Sequence, residues 1–137
     1  LRTLPRWFGI ESALQMYVED TRRMPTFALE DDGHLVGFLT LREHFPTAWE
    51  IHCMAIEGSA RSQGLGSRLL AHAERWLAGR GVEFLQVKTV AATSPSVEYA
   101  QTRRFYAARG FTPLEIFPAL WDPRNPALQC IKRLKVD

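Results

Sequence analysis

From Ile51 to Leu70 the chain reads IHCMAIEGSARSQGLGSRLL: an apolar run, a loop carrying Arg61, Gly64 and Gly66, and then the opening of an amphipathic helix. Strand, glycine loop and helix in that order can cradle an anion. The amides of Gln63, Gly64, Leu65, Gly66 and Ser67 precede or open the helix, so they have no carbonyl four residues back and can point at a phosphate. Gly64 and Gly66 let the backbone come close to a ligand with no side chain in the way. The same two glycines also suit an ordinary turn before a helix, and the loop by itself does not choose between these readings.

Two other phosphate cradles fail on these residues. A P-loop ends in Gly-Lys-Ser/Thr, whereas Gly66 is followed by Ser67 and Arg68, leaving no lysine to reach a terminal phosphate. The dinucleotide fingerprint asks for a small residue three places beyond its second glycine, where this chain has Leu69, and no suitable βαβ unit opens the sequence.

The elements around the loop follow from periodicity. Trp7–Arg23 has near-helical spacing of apolar residues between Pro5 and Pro25, and predicts one or two helices. Thr26–Glu30 and Leu35–Arg42 predict strands joined by an Asp32-Gly33 turn, and Trp49–Ile56 the next strand. Ser67–Ala78 is expected to be a helix burying Leu69, Leu70, Ala73, Trp76 and Leu77 and exposing Arg68, His72 and Arg75. After Gly79–Gly81 comes a strand over Glu83–Val90. Ser94 and Pro95 fit the start of a further helix, which Gly110 ends. Phe111–Phe117 and Leu128–Leu134 predict the last strands, separated by a loop holding Pro118, Pro123 and Pro126. The class is α+β (or α/β), a sheet covered by helices.

Composition fits a small soluble enzyme. A length of 137 residues suits one domain spanning 1–137, and 46% hydrophobic with 23% charged residues excludes a disordered chain. With 17 basic residues against 15 acidic, the net charge of +2 gives no reason to expect nucleic acid as a partner. Arg61, Arg68, Arg75 and Arg80 cluster near the loop and could serve a polyphosphate, although a solvated helix face explains Arg75 and Arg80 as well. No apolar run approaches the ~18 residues of a membrane span, and a cytoplasmic location is the expectation. Cys53 and Cys130 have no metal-ligand or disulfide spacing and are expected to be reduced and buried. The start at Leu1 rather than methionine leads to the expectation that a short upstream segment, such as a first strand, is missing.

The pattern Arg61-x-x-Gly64-x-Gly66 resembles the acetyl-coenzyme A loop of the GNAT N-acetyltransferase superfamily. The resemblance extends to Ile51–Ile56, similar to the family's fourth strand, and to FYAARGF at Phe105–Phe111, similar to its fourth helix entering a strand. It covers roughly Thr26 to Leu134. It implies a mixed, mostly antiparallel sheet flanked by helices, and acetyl-CoA as co-substrate with no metal. It further implies that Arg61, Ser62, Gln63, Gly64, Leu65, Gly66 and Ser67 hold the pyrophosphate. Met54, Ala55 and Ile56 would meet the pantetheine arm through main-chain groups, one amide serving as oxyanion donor.

The resemblance also places Tyr106 as general acid. A phenol with an ordinary pKa near ~10 is protonated at neutral pH and can pass its proton to a departing thiolate. Many relatives carry a glutamate on the next strand as base, but the matching stretch here is Leu85-Gln86-Val87-Lys88, and glutamine cannot accept a full proton. Glu50 is the candidate base and His52 the second, while a glutamate merely facing solvent is the alternative. His44 and His34 earn no role. Tyr99 stands where many relatives have an asparagine, and Tyr99, Arg103 and Tyr106 share one helix face. Trp7, Phe8 and Trp121 fall in segments that frame the acceptor groove in relatives, or serve simply as core.

The expected reaction is acetyl transfer to a primary amine of a small molecule or peptide by direct attack in a ternary complex, since neither cysteine has the context of a nucleophile. The readings set against it are a catalytically silent acyl-CoA-binding or sensor module and an acetylating toxin acting on aminoacyl-tRNA. Homodimers are common among relatives, but the sequence carries no mark of one.

Overall fold

Short runs of alternating apolar residues, such as Leu39 and Leu41 or Leu85 and Val87, give strands with one face to bury, and the Leu69-Leu70-Ala73-Leu77 stripe gives a helix to bury it. The computed structural model describes residues 24–31, 34–57, 64–91, 97–122 and 125–135. Among them are six strands and two helices: β1 Thr26–Asp31, β2 His34–Phe45, β3 Ala48–Ile56, α1 Leu65–Gly79, β4 Phe84–Val90, α2 Val97–Ala108, β5 Thr112–Asp122 and β6 Asn125–Arg133. The helices expected in Trp7–Arg23, the Asp32-Gly33 turn and the Ser94-Pro95 helix start lie outside the described residues.

The strands form one sheet in the order β1-β2-β3-β4-β6-β5. Every pairing is antiparallel except β3 with β4. The class is therefore the mixed, mostly antiparallel α+β sheet that the sequence implies. Leu69, Leu70, Ala73 and Leu77 of α1 pack on Leu39, Leu41, Ile51, Leu85 and Val87, and the same cluster takes in Tyr106, Phe111 and Cys130. Phe27, Trp49 and Trp76 meet edge to face at 5.5 and 5.7 Å, fixing the far end of α1 to the sheet. Arg68, His72 and Arg75 are exposed, as the periodicity requires.

Two sequence expectations are corrected. The loop expected around Pro118 and Pro126 is strand instead: β5 runs through Pro118 to Asp122, and β6 begins at Asn125. Because β5 is the sheet edge, a proline there removes no obligatory ladder bond, and the β5–β6 register shifts between Phe117 and Asp122 to absorb the irregularity. Of the cysteines, Cys130 is buried but Cys53 is only half-buried.

Leu77 is fully buried at the centre of the α1 contact. Leu77→Ala should lower the unfolding free energy by about 2–5 kcal/mol, measured by denaturant titration.

Candidate active site

Between β2 and β3 the register passes from Thr40↔Cys53 to Leu41↔Ile51, so His52 is an extra residue on β3. Such a bulge bends the strand and increases its twist. The consequence is visible on the other edge of β3. Its parallel pairing with β4 covers Ala48↔Phe84 to Ile51↔Val87 and then stops, although β3 continues to Ile56 and β4 to Val90. Each strand keeps its outer partner beyond that point, β3 with β2 as far as Ile56↔Gly37 and β4 with β6 as far as Val90↔Ala127. The sheet thus opens between two otherwise laddered halves.

Met54, Ala55 and Ile56 lie on β3 beyond the opening and are half-buried. Gly37 lets Ile56 lie flat across β2, since a Cβ at that position would fall 2.6 Å from Ile56 Cδ1 and 3.2 Å from the Ala55 carbonyl oxygen. On the other side, Arg103 donates from Nη1 to the Val90 carbonyl at 2.7 Å and ties the end of β4 to α2.

At the start of α1, Gly64 adopts φ +74° and no side chain caps the helix. The first helical bond runs from the Arg68 amide to the Gly64 carbonyl at 3.2 Å, so Leu65, Gly66 and Ser67 have no intrahelical acceptor for their amides. No acidic residue sits in this turn to oppose an anion. The glycines have separate roles. Among the described residues a Cβ on Gly64 would meet nothing within 4 Å, whereas one on Gly66 would sit 3.3 Å from Phe105 Cε1 and 3.4 Å from Met54 Cε. Gly64 therefore faces open space at a backbone angle that suits glycine, and Gly66 lets α1 close onto α2 and β3. Arg61, Ser62 and Gln63 lie outside the described residues.

Tyr106 is buried between Phe105 and Phe111, with ring centroids at 5.3 and 5.4 Å, and its hydroxyl donates to Met54 Sδ at 3.9 Å. Burial pushes its pKa well above the ordinary phenol value, with smaller contributions from Cys53 and Cys130. Its proton is retained across the physiological range. Tyr99 is exposed at the far end of α2, so the expected polar stripe grades from buried to open along the helix.

Glu50 alternates with Trp49 and Ile51, both in the helix-facing core, so its side chain belongs to the opposite face of the sheet from Tyr106. It is only 8% exposed. Its register neighbour across the parallel pair is Gln86, which is itself engaged by the Gln129 side-chain amide. Glu50 Oε1 lies 2.7 Å from His44 Nε2, and Oε2 accepts from Lys88 Nζ at 2.8 Å. Burial alone would raise the carboxyl pKa. The hydrogen bonds and charges of Lys88 and His44 outweigh it and hold the group below its ordinary value. His52 sits exposed in the bulge. Sequence alone assigns neither His44 nor Lys88 to this cluster. Alternation along Leu85-Gln86-Val87-Lys88 could have put Lys88 on the Glu50 face, but the offset between Glu43↔Trp49 and Phe45↔Ala48 that delivers His44 leaves no sequence signal.

Because the folded-state pKa of Glu50 is depressed, its stabilising contribution is full above the unfolded carboxyl pKa and is lost as pH falls through the folded value. Glu50→Gln should remove that part of the acid-unfolding transition and cost about 1–3 kcal/mol at neutral pH, read by denaturant titration across pH.

A family model described as the acetyltransferase (GNAT) family matches residues 3–111. No curated protein matches the sequence at a significant level. Among solved structures, the chain is similar to the aminoglycoside 6'-N-acetyltransferase from Enterococcus faecium at 21% identity and a TM-score of 0.77, covering 96% of this chain and 86% of that one. An aminoglycoside 6'-N-acetyltransferase complexed with coenzyme A gives 22% and 0.73, with 96% and 84% covered. The ribosomal-protein-S18-alanine N-acetyltransferase from Escherichia coli gives 21% and 0.73, with 98% and 89% covered. At such identities these likenesses speak for the fold, and the family match, spanning most of the sequence, speaks for descent. The chain belongs to the GNAT acetyltransferase family.

Proposed function

We propose that the protein transfers an acetyl group from acetyl-CoA to a primary amine by direct attack in a ternary complex. The observation that carries this reading is the opening of the β3–β4 pair beside a helix that starts on a glycine at positive φ, whose added Cβ would meet nothing within 4 Å among the described residues. The residues present fit acetyl-CoA. Over His52–Ile56 the β4-facing edge of β3 has lost its strand partner for about 16 Å, at about 3.3 Å per residue, and an extended amide-bearing arm could replace that partner. The amides of Leu65, Gly66 and Ser67 would take the pyrophosphate, with Arg61, Ser62, Gln63 and Gly64 completing the loop. Bound there, the co-substrate supplies an activated thioester.

Main-chain donors of Met54, Ala55 and Ile56 would orient the arm and stabilise the developing oxyanion. Tyr106, held protonated by burial, would donate to the thiolate. The same burial raises the proton affinity of a thiolate beside it, so this transfer passes a proton between two groups under one desolvation. Glu50 faces the opening from the other side of the sheet. With its carboxylate ionised it would draw the incoming ammonium and accept its proton, directly or through water. The acceptor is a primary amine. The aminoglycoside-modifying and protein-modifying neighbours give two acceptor classes with which to begin a screen.

Calorimetric titration with coenzyme A, followed by an acceptor screen for free thiol release, tests the reading. Binding with thiol release is expected, and absence of binding would overturn it. Gly64→Val, which forces a β-branched residue to positive φ at the mouth of the loop, should weaken coenzyme A binding at least about tenfold. Tyr106→Phe should lower turnover by roughly 10² with nearly unchanged coenzyme A affinity. Equal turnover would remove the acid from Tyr106.

A further inference from the structure

The chain contains three lysines, Lys88, Lys132 and Lys135, against fourteen arginines. For a buried carboxylate the guanidinium is the usual partner, because it binds in a fork and stays charged. Glu50 is instead served by Lys88, whose amine can lose a proton and be acylated. Lys88 is also the first residue of β4 beyond the last parallel pair, Ile51↔Val87, and so stands where the sheet opens. Its side chain is 26% accessible, and its Nζ lies 2.8 Å from Glu50 Oε2. A primary amine beside an ionised carboxylate, at the mouth of the cleft assigned to the thioester, has the placement required of an acceptor. Neither of the other lysines has it. Lys132 is held by Glu74 at 2.7 Å on the helix-facing side and lies over the Phe111 ring, and Lys135 is exposed past the end of β6.

We propose that Lys88 is a self-acetylation site: with an acyl thioester bound, the chain acetylates its own Lys88 Nζ. This rests on the function proposed above. Glu50 takes one proton from the ammonium, and the neutral amine attacks the thioester carbonyl carbon. The new N–C bond forms, the C–S bond breaks, and the nitrogen sheds a second proton as it becomes an amide. One of the two protons ends on the departing thiol and the other in solvent, so the products are N-acetyl-lysine, free thiol and one proton. The amide that results carries no charge. It releases Oε2 of Glu50 from its internal cation, leaving His44 on Oε1 and opening Oε2 to an external ammonium.

The test uses the full chain with acetyl-CoA and reads intact mass and peptide maps over time. One acetyl group on Lys88 is expected, at a rate independent of protein concentration and at least about tenfold above the rates at Lys132 and Lys135. Lys88→Arg keeps a cation against Glu50 and should abolish the mass gain while leaving coenzyme A binding by calorimetry unchanged. Lys88→Gln, which imitates the amide, should move the acid-unfolding midpoint to higher pH because Glu50 loses a charged partner. Acetylation of Lys88 no faster than of the other two lysines, or a rate that scales with protein concentration, would overturn the proposal. If the protein binds coenzyme A and acetylates added amines yet leaves Lys88 unmodified, self-acetylation alone fails. If it binds no coenzyme A, the acetyltransferase reading fails with it.

Discussion

The parallel ladder between β3 and β4 ends at Ile51↔Val87, so over His52–Ile56 the β4-facing edge of β3 has no register partner on β4. Inside a sheet such a break is unusual, because buried main-chain groups must find other partners in place of the ladder they leave. Here the break lies in the middle of a six-stranded sheet rather than at its rim. Three local devices hold it open: an extra residue at His52 that turns β3 away, a glycine at position 37 that keeps β3 flat against β2, and an arginine on α2 that fastens the end of β4. The rest of the site is arranged about the gap. The start of α1 follows the strand that forms one lip, and the ring of Tyr106 rests on the same strand from the helical side.

The Glu50 cluster answers a different constraint. Removing a carboxylate from water costs several kcal/mol unless charge and hydrogen bonds are returned to it, and an apolar residue of similar size would often be as stable or more so. Glu50 receives a bond on each oxygen, from His44 and Lys88, and the arrangement keeps it ionised. The neighbouring position on β4 is a neutral glutamine occupied with Gln129. Glu50 on β3 thus supplies the carboxylate of this register pair and Gln86 on β4 the neutral amide, a lateral step of one residue pair from the glutamate position that the family resemblance implies. Such a step keeps a negative group near the opening without rebuilding the backbone.

Much of the fold was legible because it rests on patterns that local sequence carries. The α1 stripe, the β2 and β4 alternation and the glycines after both helices each had a direct counterpart. Over β5 and β6 the prolines signal a break when read from sequence alone, and only the sheet order reveals that β5 is an edge where they are tolerated. In the site, Gly64, Gly66 and Tyr106 stand out in the sequence through the family resemblance. His44 and Lys88 do not, because their meeting with Glu50 depends on three strands lying side by side and on register irregularities near both ends of the β2–β3 pair. Pairing register is a property of the assembled sheet. No single stretch of sequence records it.

The two loop glycines show how one short motif can satisfy two physical demands. At Gly64 the demand is conformational: the chain turns through positive φ into the helix, and an added Cβ would meet nothing within 4 Å among the described residues. At Gly66 it is one of volume, since Phe105 and Met54 occupy the space a side chain would need. Phe105 also carries the Arg109 guanidinium on its face, at 4.1 Å from the ring centre, which stiffens the aromatic surface that Gly66 meets. Adding a methyl group at Gly66 would press on Phe105 and, through it, on the adjacent Tyr106 ring 5.3 Å away. The contact that seats the amides of α1 is therefore the same contact that sets Tyr106 over Met54. The amides that open α1 and the Tyr106 hydroxyl are both tied to the packing around a single missing side chain.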